Sequence, residues 1–456
     1  MRAEASDLGA QQAAQLARSS LGRDVTARSG LSRVAFSTAL ALQQCGVVRG
    51  AAARGSIGAR FVPSRPLFVD KYAHQAFCGK FSKSGALFMS ASQDRHIRLY
   101  DTGTWRLTKD IVANDVGWSI IAVDYSPDDR WVIYSSWSDY VHLYNTSGAP
   151  VYEPLNFRPS TGRFCLFSSE FSPSSTEILA GASDHCIYLY DLERKLRTHR
   201  IRGHADDVNS ICWLDAAGQL FASGSDDRLV MLWDRRLVSA GGQGDARGCV
   251  GAFVGHARGV ACVSSRGDGL HLLSNGKDHC AKLWDVRALQ SPAEARAAAG
   301  ALPGASALPG ASMYDYRHGE RRRPNEPRLR HALDTSLMTY RGGHQVYRTL
   351  LRAHFSPLES TGSRYVIAGS NNNTACIYET LTGEIAAILG GDTAQADGGV
   401  GPHTDVVRDV SWHPWRPEIV TTSWDGSCRL WSFSLHNELE RKRTEDDYAF
   451  RSWRGE

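Results

Sequence analysis

The chain has 456 residues, a formal net charge of +4, 42% hydrophobic and 22% charged residues. That balance demands neither nucleic acid nor an anionic membrane as partner, and no run of about 18 apolar residues marks a transmembrane helix. The ten cysteines are scattered on strand-like patterns without a C-x-x-C pair, which favours reduced, buried thiols over a disulfide framework or a zinc site.

Residues 1–60 are rich in Ala, Gly, Ser and Arg, with Glu4, Asp7 and Asp24 as their only acids. This composition predicts a flexible, disordered extension. Two alternatives stay open: a transit peptide, which shares the Arg- and Ser-rich, acid-poor character, and a short helix over Val34–Val48 that packs on a partner. The following FVPSRPLFVD, Phe61–Asp70, is apolar but broken by Pro63 and Pro66. Prolines confine a strand to a sheet edge.

A repeat then begins. Ser90, Asp94 and Tyr100 stand at intervals of four and six within Ala76–Asp101. Ile120–Asn145 repeats the outline one residue short, and Ser168–Asp191 repeats it with Ala180 in place of Ser. The pattern is complete in Gly203–Arg287, where two copies lie side by side: GHADDVNSICWLDAAGQLFASGSDDRLVMLWDRR and GHARGVACVSSRGDGLHLLSNGKDHCAKLWDVR. His204, Ser223, Asp227 and Trp233 in the first match His256, Ser274, Asp278 and Trp284 in the second. These are the residues of a WD repeat, one blade of a β-propeller. Within a blade they can form one hydrogen-bonded chain, because an indole is a donor only and a buried one needs an acceptor. His, Ser and Asp together also suggest nucleophilic catalysis, but recurrence at blade period gives them a structural role.

Residues 288–335 interrupt the repeat with AEARAAAGALPGASALPGAS and the basic RHGERRRPNEPRLRH. Ala/Gly/Pro/Ser bias without alternation predicts a disordered insert between blades five and six, dispensable for folding. The basic cluster of 317–331 is a solvated loop, or alternatively a nuclear-import or acidic-partner segment. Phe355–Glu379 carries Asn372 and Tyr378, and Val406–Ser432 completes the tetrad again with His403, Thr421, Asp425 and Trp431. No outer strand follows Trp431, so the piece around 61–70 is expected to supply it and close the ring. The expectation is an all-β, seven-bladed WD-repeat propeller over 61–432, followed by a charged tail at 433–456.

Several stretches exceed the generic repeat: FVDKYAH (68–74), DVGWS (115–119), YSSWSDY (134–140), SLMTYRGGH (336–344), VRDVSWHP (407–414) and SWDG (423–426). With Asp-x-Arg closing both central blades, at Asp234–Arg236 and Asp285–Arg287, the chain resembles the family of the cullin-4-associated factor numbered eleven over residues 61–432. It departs from that family over 1–60, where the family carries an acidic leader, and over 288–331. The resemblance implies a substrate receptor of a cullin-4 RING ubiquitin ligase that binds the large subunit of the damage-specific DNA-binding adaptor. It further implies that Asp234, Arg236, Asp285 and Arg287 form the adaptor-binding site. It also implies residence in nucleus and cytoplasm, protein substrates, and no membrane or direct nucleic-acid partner. A general WD-repeat scaffold of another complex is the alternative. No catalytic residue, metal ligand or cofactor is expected, since no unrepeated Ser-His-Asp set, metal-ligand spacing or phosphate-cradling Gly loop occurs.

Overall fold

The computed structural model describes residues 62–63, 65–158, 164–238, 248–301, 332–390 and 402–432. The expectations for residues 1–60, the basic cluster and the tail lie outside these residues.

Seven four-stranded antiparallel sheets form the blades. Blade one comprises Ala76–Phe81, Leu87–Ser92, His96–Asp101 and Leu107–Val112, here termed strands a to d. Blade two is Ala122–Tyr125, Trp131–Ser135, Tyr140–Asn145 and Tyr152–Asn156, and blade three Leu166–Phe171, Glu177–Ala182, Cys186–Asp191 and Leu196–Arg202. Blades four and five run Val208–Trp213, Leu220–Ser225, Val230–Asp234, Cys249–Phe253, then Val260–Ser265, His271–Gly276, Cys280–Asp285, Met338–Tyr340. Blade six is Ala353–Phe355, Tyr365–Gly369, Ala375–Glu379 and Ile385–Leu389. Blade seven takes Val407–Trp412, Glu418–Ser423 and Ser427–Ser432 from the C-terminal side, and Arg65–Lys71 as its strand d.

Strands a and b are buried on both faces, and this produces their near-continuous apolar runs. Strand d has a solvent face, as the alternation exposed-buried in Tyr152–Asn156 shows. The a strands pack on one another around the central channel, and their free amides are capped by side chains of the neighbouring blade. Asp409 accepts from Gly79 N–H at 3.2 Å, Asp124 from Phe171 N–H at 2.8 Å, Glu170 from Trp213 N–H at 3.1 Å, and Ser210 from Val263 N–H at 3.0 Å. A buried amide left unpaired costs about 1–3 kcal/mol, so these bonds join blades seven to one, two to three, three to four and four to five.

Closure depends on the borrowed strand. Tyr72 N–H donates to Gly426 O at 2.7 Å. Gly426 has φ +78°, and a Cβ there would lie 2.7 Å from Tyr72 O, so only glycine lets the incoming strand approach. Pro66 sits in this strand d, at the outer edge of the ring, where a missing N–H is harmless.

The insert departs from expectation in two ways. It lies inside blade five, between strands c and d, rather than between blades five and six. Strand d of that blade is three residues long, too short to show alternation in sequence. In addition, the first part of the insert is a helix, α1 (Pro292–Ala301), preceded by Gln290, which pairs with Ala252 of blade four. Ala295, Ala298 and Ala299 are buried against blade four, and Arg296 donates to Gly203 O at 2.9 Å. An alanine face packs closely yet reads as low complexity. At the far end of the insert, Asp334 pairs with Lys282 at 2.6 Å, both side chains 1% exposed.

The dispensable portion is therefore narrower than the expected Ala293–Arg330, since Ala295, Ala298 and Ala299 are buried. Replacing 302–331 by a short Gly/Ser linker should leave the melting transition in place, because loop length changes closure entropy by only about 0.6 kcal/mol per doubling. Ala295→Leu, which overfills the helix contact, should cost about 1–3 kcal/mol. Calorimetry of the two variants checks both outcomes.

Candidate docking site

The complete tetrads are assembled inside blades four, five and seven. In blade four His204 Nδ1 lies 2.7 Å from Asp227 and Nε2 2.6 Å from Ser223 Oγ, which accepts the Trp233 indole N–H at 2.8 Å. The tautomer that satisfies every group has Nδ1–H donating to Asp227 and the Ser223 hydroxyl donating to Nε2. Blade five repeats this with His256–Asp278 at 3.1 Å, His256–Ser274 at 2.6 Å and Trp284–Ser274 at 2.7 Å. Blade seven does so with His403–Asp425 at 3.0 Å, His403–Thr421 at 2.8 Å and Trp431–Thr421 at 2.8 Å. The three tryptophans, Ser223, Ser274 and Thr421 are fully buried.

The other blades reach the same end differently. Tyr72, just past the borrowed strand, bonds Ser90 at 2.6 Å, and Tyr100 donates to Asp70 of that strand at 2.6 Å, so closure and the blade-one network are one structure. In blade three Asp184 accepts from Tyr188 at 2.5 Å and from Arg200 at 2.9 Å. In blade six His344 meets Tyr378 Oη at 2.7 Å and, across the blade boundary, Asn275 at 3.1 Å. No spacing rule reveals such substitutes, because each draws its partner from another element.

Asp234 and Asp285 end strand c of their blades and cap single 3-10 turns, accepting from the backbone N–H of Arg236 and Arg287 at 2.9 Å. Each Asp also receives the following guanidinium. Arg236 donates through Nε at 3.0 Å and Nη2 at 2.6 Å, and Arg287 does so at 2.9 and 2.6 Å. The arginine side chains are 67% and 70% exposed, whereas their aspartates are 10% and 13% exposed. The Arg236 hydrogen bond holds the Asp234 carboxyl below the usual range, and Arg287 holds Asp285 down at about 2. Each fork is thus fixed by its own carboxylate, which limits the rotamer entropy lost when a partner binds. Nη1 of each makes no hydrogen bond within the described residues. Both arginines follow strand c in neighbouring blades, so they share one face of the ring. Arg235 differs. Its side chain turns to Glu177 of blade three, forming an ion pair between blades that sequence reasoning missed.

The tetrads set a pH limit. Burial alone would raise the Asp278 carboxyl, but the interaction and hydrogen bond with His256, with the Ala257 amide, outweigh it and hold the group at about 2. A depressed folded-state value means the stability is present above the unfolded value of about 4 and lost as pH falls towards 2. Urea melts of Asp278→Asn should show a flatter decline over that window than the parent protein, together with a loss of about 1–3 kcal/mol at neutral pH.

The family model described as WD domain, G-beta repeat matches residues 69–101, 195–234, 247–285 and 400–432. Three of these segments end on the blades with complete tetrads. The chain is similar to the LEC14B homolog of Prunus armeniaca, with 36% identity covering 84% of this chain and 78% of the relative. It is equally similar to the LEC14B protein of Lithospermum erythrorhizon, 36% identical over 82% and 76%. The DDB1- and CUL4-associated factor 11 homolog of Caenorhabditis elegans is 34% identical over 83% of this chain and 64% of that protein. With seven blades and these relatives spanning most of its length, the chain belongs to the WD-repeat family of the LEC14B proteins and the DDB1- and CUL4-associated factor 11 homologs.

Proposed function

We propose that the protein is a non-catalytic substrate receptor of a cullin-4 RING ubiquitin ligase, docking on the damage-specific DNA-binding adaptor DDB1. The observation that carries this reading is the pair of exposed, pre-set guanidinium forks in adjacent blades, with the names of the relatives as support. A planar fork suits carboxylate or carbonyl acceptors, and arginine is a frequent hot-spot residue. The function is then proximity: one face holds the ligase, the other a substrate, and substrate lysines gain effective concentration near the loaded ubiquitin enzyme. The reading assigns the protein to nucleus and cytoplasm.

A scaffold role in another complex is the second reading. A hydrolytic use of the Ser-His-Asp sets is disfavoured on physical grounds. Ser223 and Ser274 are fully buried, and each oxygen already serves both a histidine and an indole.

The double variant Arg236→Ala, Arg287→Ala should abolish recovery of the adaptor and cullin-4 in pull-downs. Its stability should stay within about 0.5 kcal/mol, as for other surface substitutions. Arg235→Ala should do the reverse, lowering the melting point through the lost Glu177 contact while keeping the ligase bound. Full ligase recovery by a folded double variant would transfer the assignment to the scaffold reading.

A further inference from the structure

The c-to-d connections at 102–106, 146–151, 192–195 and 380–384 are short turns, but that of blade five detours over its neighbour. After Arg287 the chain runs back onto blade four, the blade that carries Arg236. Gln290 N–H donates to Ala252 O at 3.0 Å, and Ala252 N–H donates to Gln290 O at 3.0 Å. Ala252 lies in strand d of blade four, so Gln290 stands where a fifth strand of that sheet would begin. Ser291 then opens α1. Its hydroxyl accepts from Glu294 N–H at 3.3 Å and donates to the Glu294 carboxylate at 2.7 Å. The helix puts Ala295, Ala298 and Ala299 into the apolar cluster that holds Met231, Trp233 and Ala252.

One glycine permits this course. A Cβ on Gly251, in strand d of blade four, would stand 2.8 Å from Leu289 Cβ and 2.9 Å from Gln290 O. A side chain there would lift the connection off the sheet. The departing and returning legs are also tied to each other. Gln290 Nε2 donates to Leu333 O at 2.6 Å, and Thr335 Oγ1 donates to Ala288 O at 3.3 Å. Ala288 belongs to the same 3-10 turn as Arg287. That turn is therefore held by Asp285 on one side and by Leu289, Gln290 and Thr335 on the other.

Neighbouring blades meet mainly through strands a and b, near the channel. Farther out, radial sheets diverge, and strand c with its fork lies in that outer half. A main-chain tie from the foot of one fork to the outer strand of the next blade removes freedom where the ring has most of it. Two contacts with one rigid partner reinforce each other fully only when their separation is fixed beforehand.

We propose that residues 289–299 are a strap that sets the separation of the two forks, with Gln290 a positioning residue that acts through Arg287. The inference rests on the receptor reading above, whose docking site it deepens. A segment that only covers the free edge of strand d would protect that edge and leave docking untouched.

The test measures the affinity of the full chain for purified DDB1 by biolayer interferometry, beside a melting curve. Two variants attack the strap from opposite sides: Gln290→Pro removes a bridging donor, and Gly251→Ala sets a Cβ against Leu289. Each should weaken binding about tenfold, the size of a coupling between contacting residues, and still melt cooperatively. Gln290→Ala, which keeps both main-chain bonds, should bind within about twofold of the parent. Arg287→Ala should cost little more once the strap is displaced, because its fork is already misplaced. Arg236→Ala should cost the same with or without the strap. Parent-like affinity in a folded strap variant, or losses that simply add to that of Arg287→Ala, would overturn the strap while leaving the receptor reading in place. Unfolding of both strap variants would make the segment part of the fold and overturn its positioning role. A parent chain that does not bind DDB1 would overturn the receptor reading itself, and the strap's role with it.

Discussion

Everything in this molecule depends on the strand that the N-terminal side lends to the last blade. Seven sheets around a channel leave no open radial gap only if blade seven has its fourth strand, and that strand is Arg65–Lys71. Closure is more than backbone pairing. Tyr72, just past the strand, carries its hydroxyl into the blade-one network, and Asp70 accepts from Tyr100. The contact that closes the ring is therefore also the contact that replaces histidine in a blade lacking its tetrad. Removing the strand would expose an edge and unpair a buried network at once.

Once closed, the ring holds its two faces in fixed relation. Side chains from one a strand cap amides of the next, and Arg408 gathers Phe77 and Ile121 from blades one and two onto blade seven. The propeller acts as a rigid spacer. The forks on one face and the connections on the other cannot drift relative to each other without breaking buried hydrogen bonds. In the proposed receptor role, such rigidity would preserve effective concentration.

The tetrads were legible because each lies within one blade at fixed offsets, so spacing alone brings His204 to Asp227 and Ser223 to Trp233. The borrowed strand was legible from a count: blade seven lacked one strand and an apolar, proline-broken segment stood at the other end. What stayed hidden was long-range or chemically quiet. Asp124, Glu170 and Asp409 act on blades far along the chain, and nothing local to them announces the amide they cap. Helix α1 buries alanines, which give little contrast between inner and outer faces. Strand d of blade five, at three residues, is below the length at which alternation can be seen. Leu350 reads as an ordinary apolar loop residue until the fold packs it against Ile121, Cys165 and Phe167.

The borrowed strand also has a consequence for synthesis. Tyr72 finds Cys428 across 356 positions of chain, so the earliest strand among the described residues to leave the ribosome pairs with the latest one. Until Ser427–Ser432 emerges it is an apolar ribbon with free edges, exposed to any neighbouring nascent chain. Such contacts are slow to form because a very long loop must close first. Pro66 limits the hazard: it removes one donor from the waiting ribbon and makes it a poor template for the wrong partner. The same residue that is harmless at the rim of the finished ring guards the strand during the interval before a ring exists.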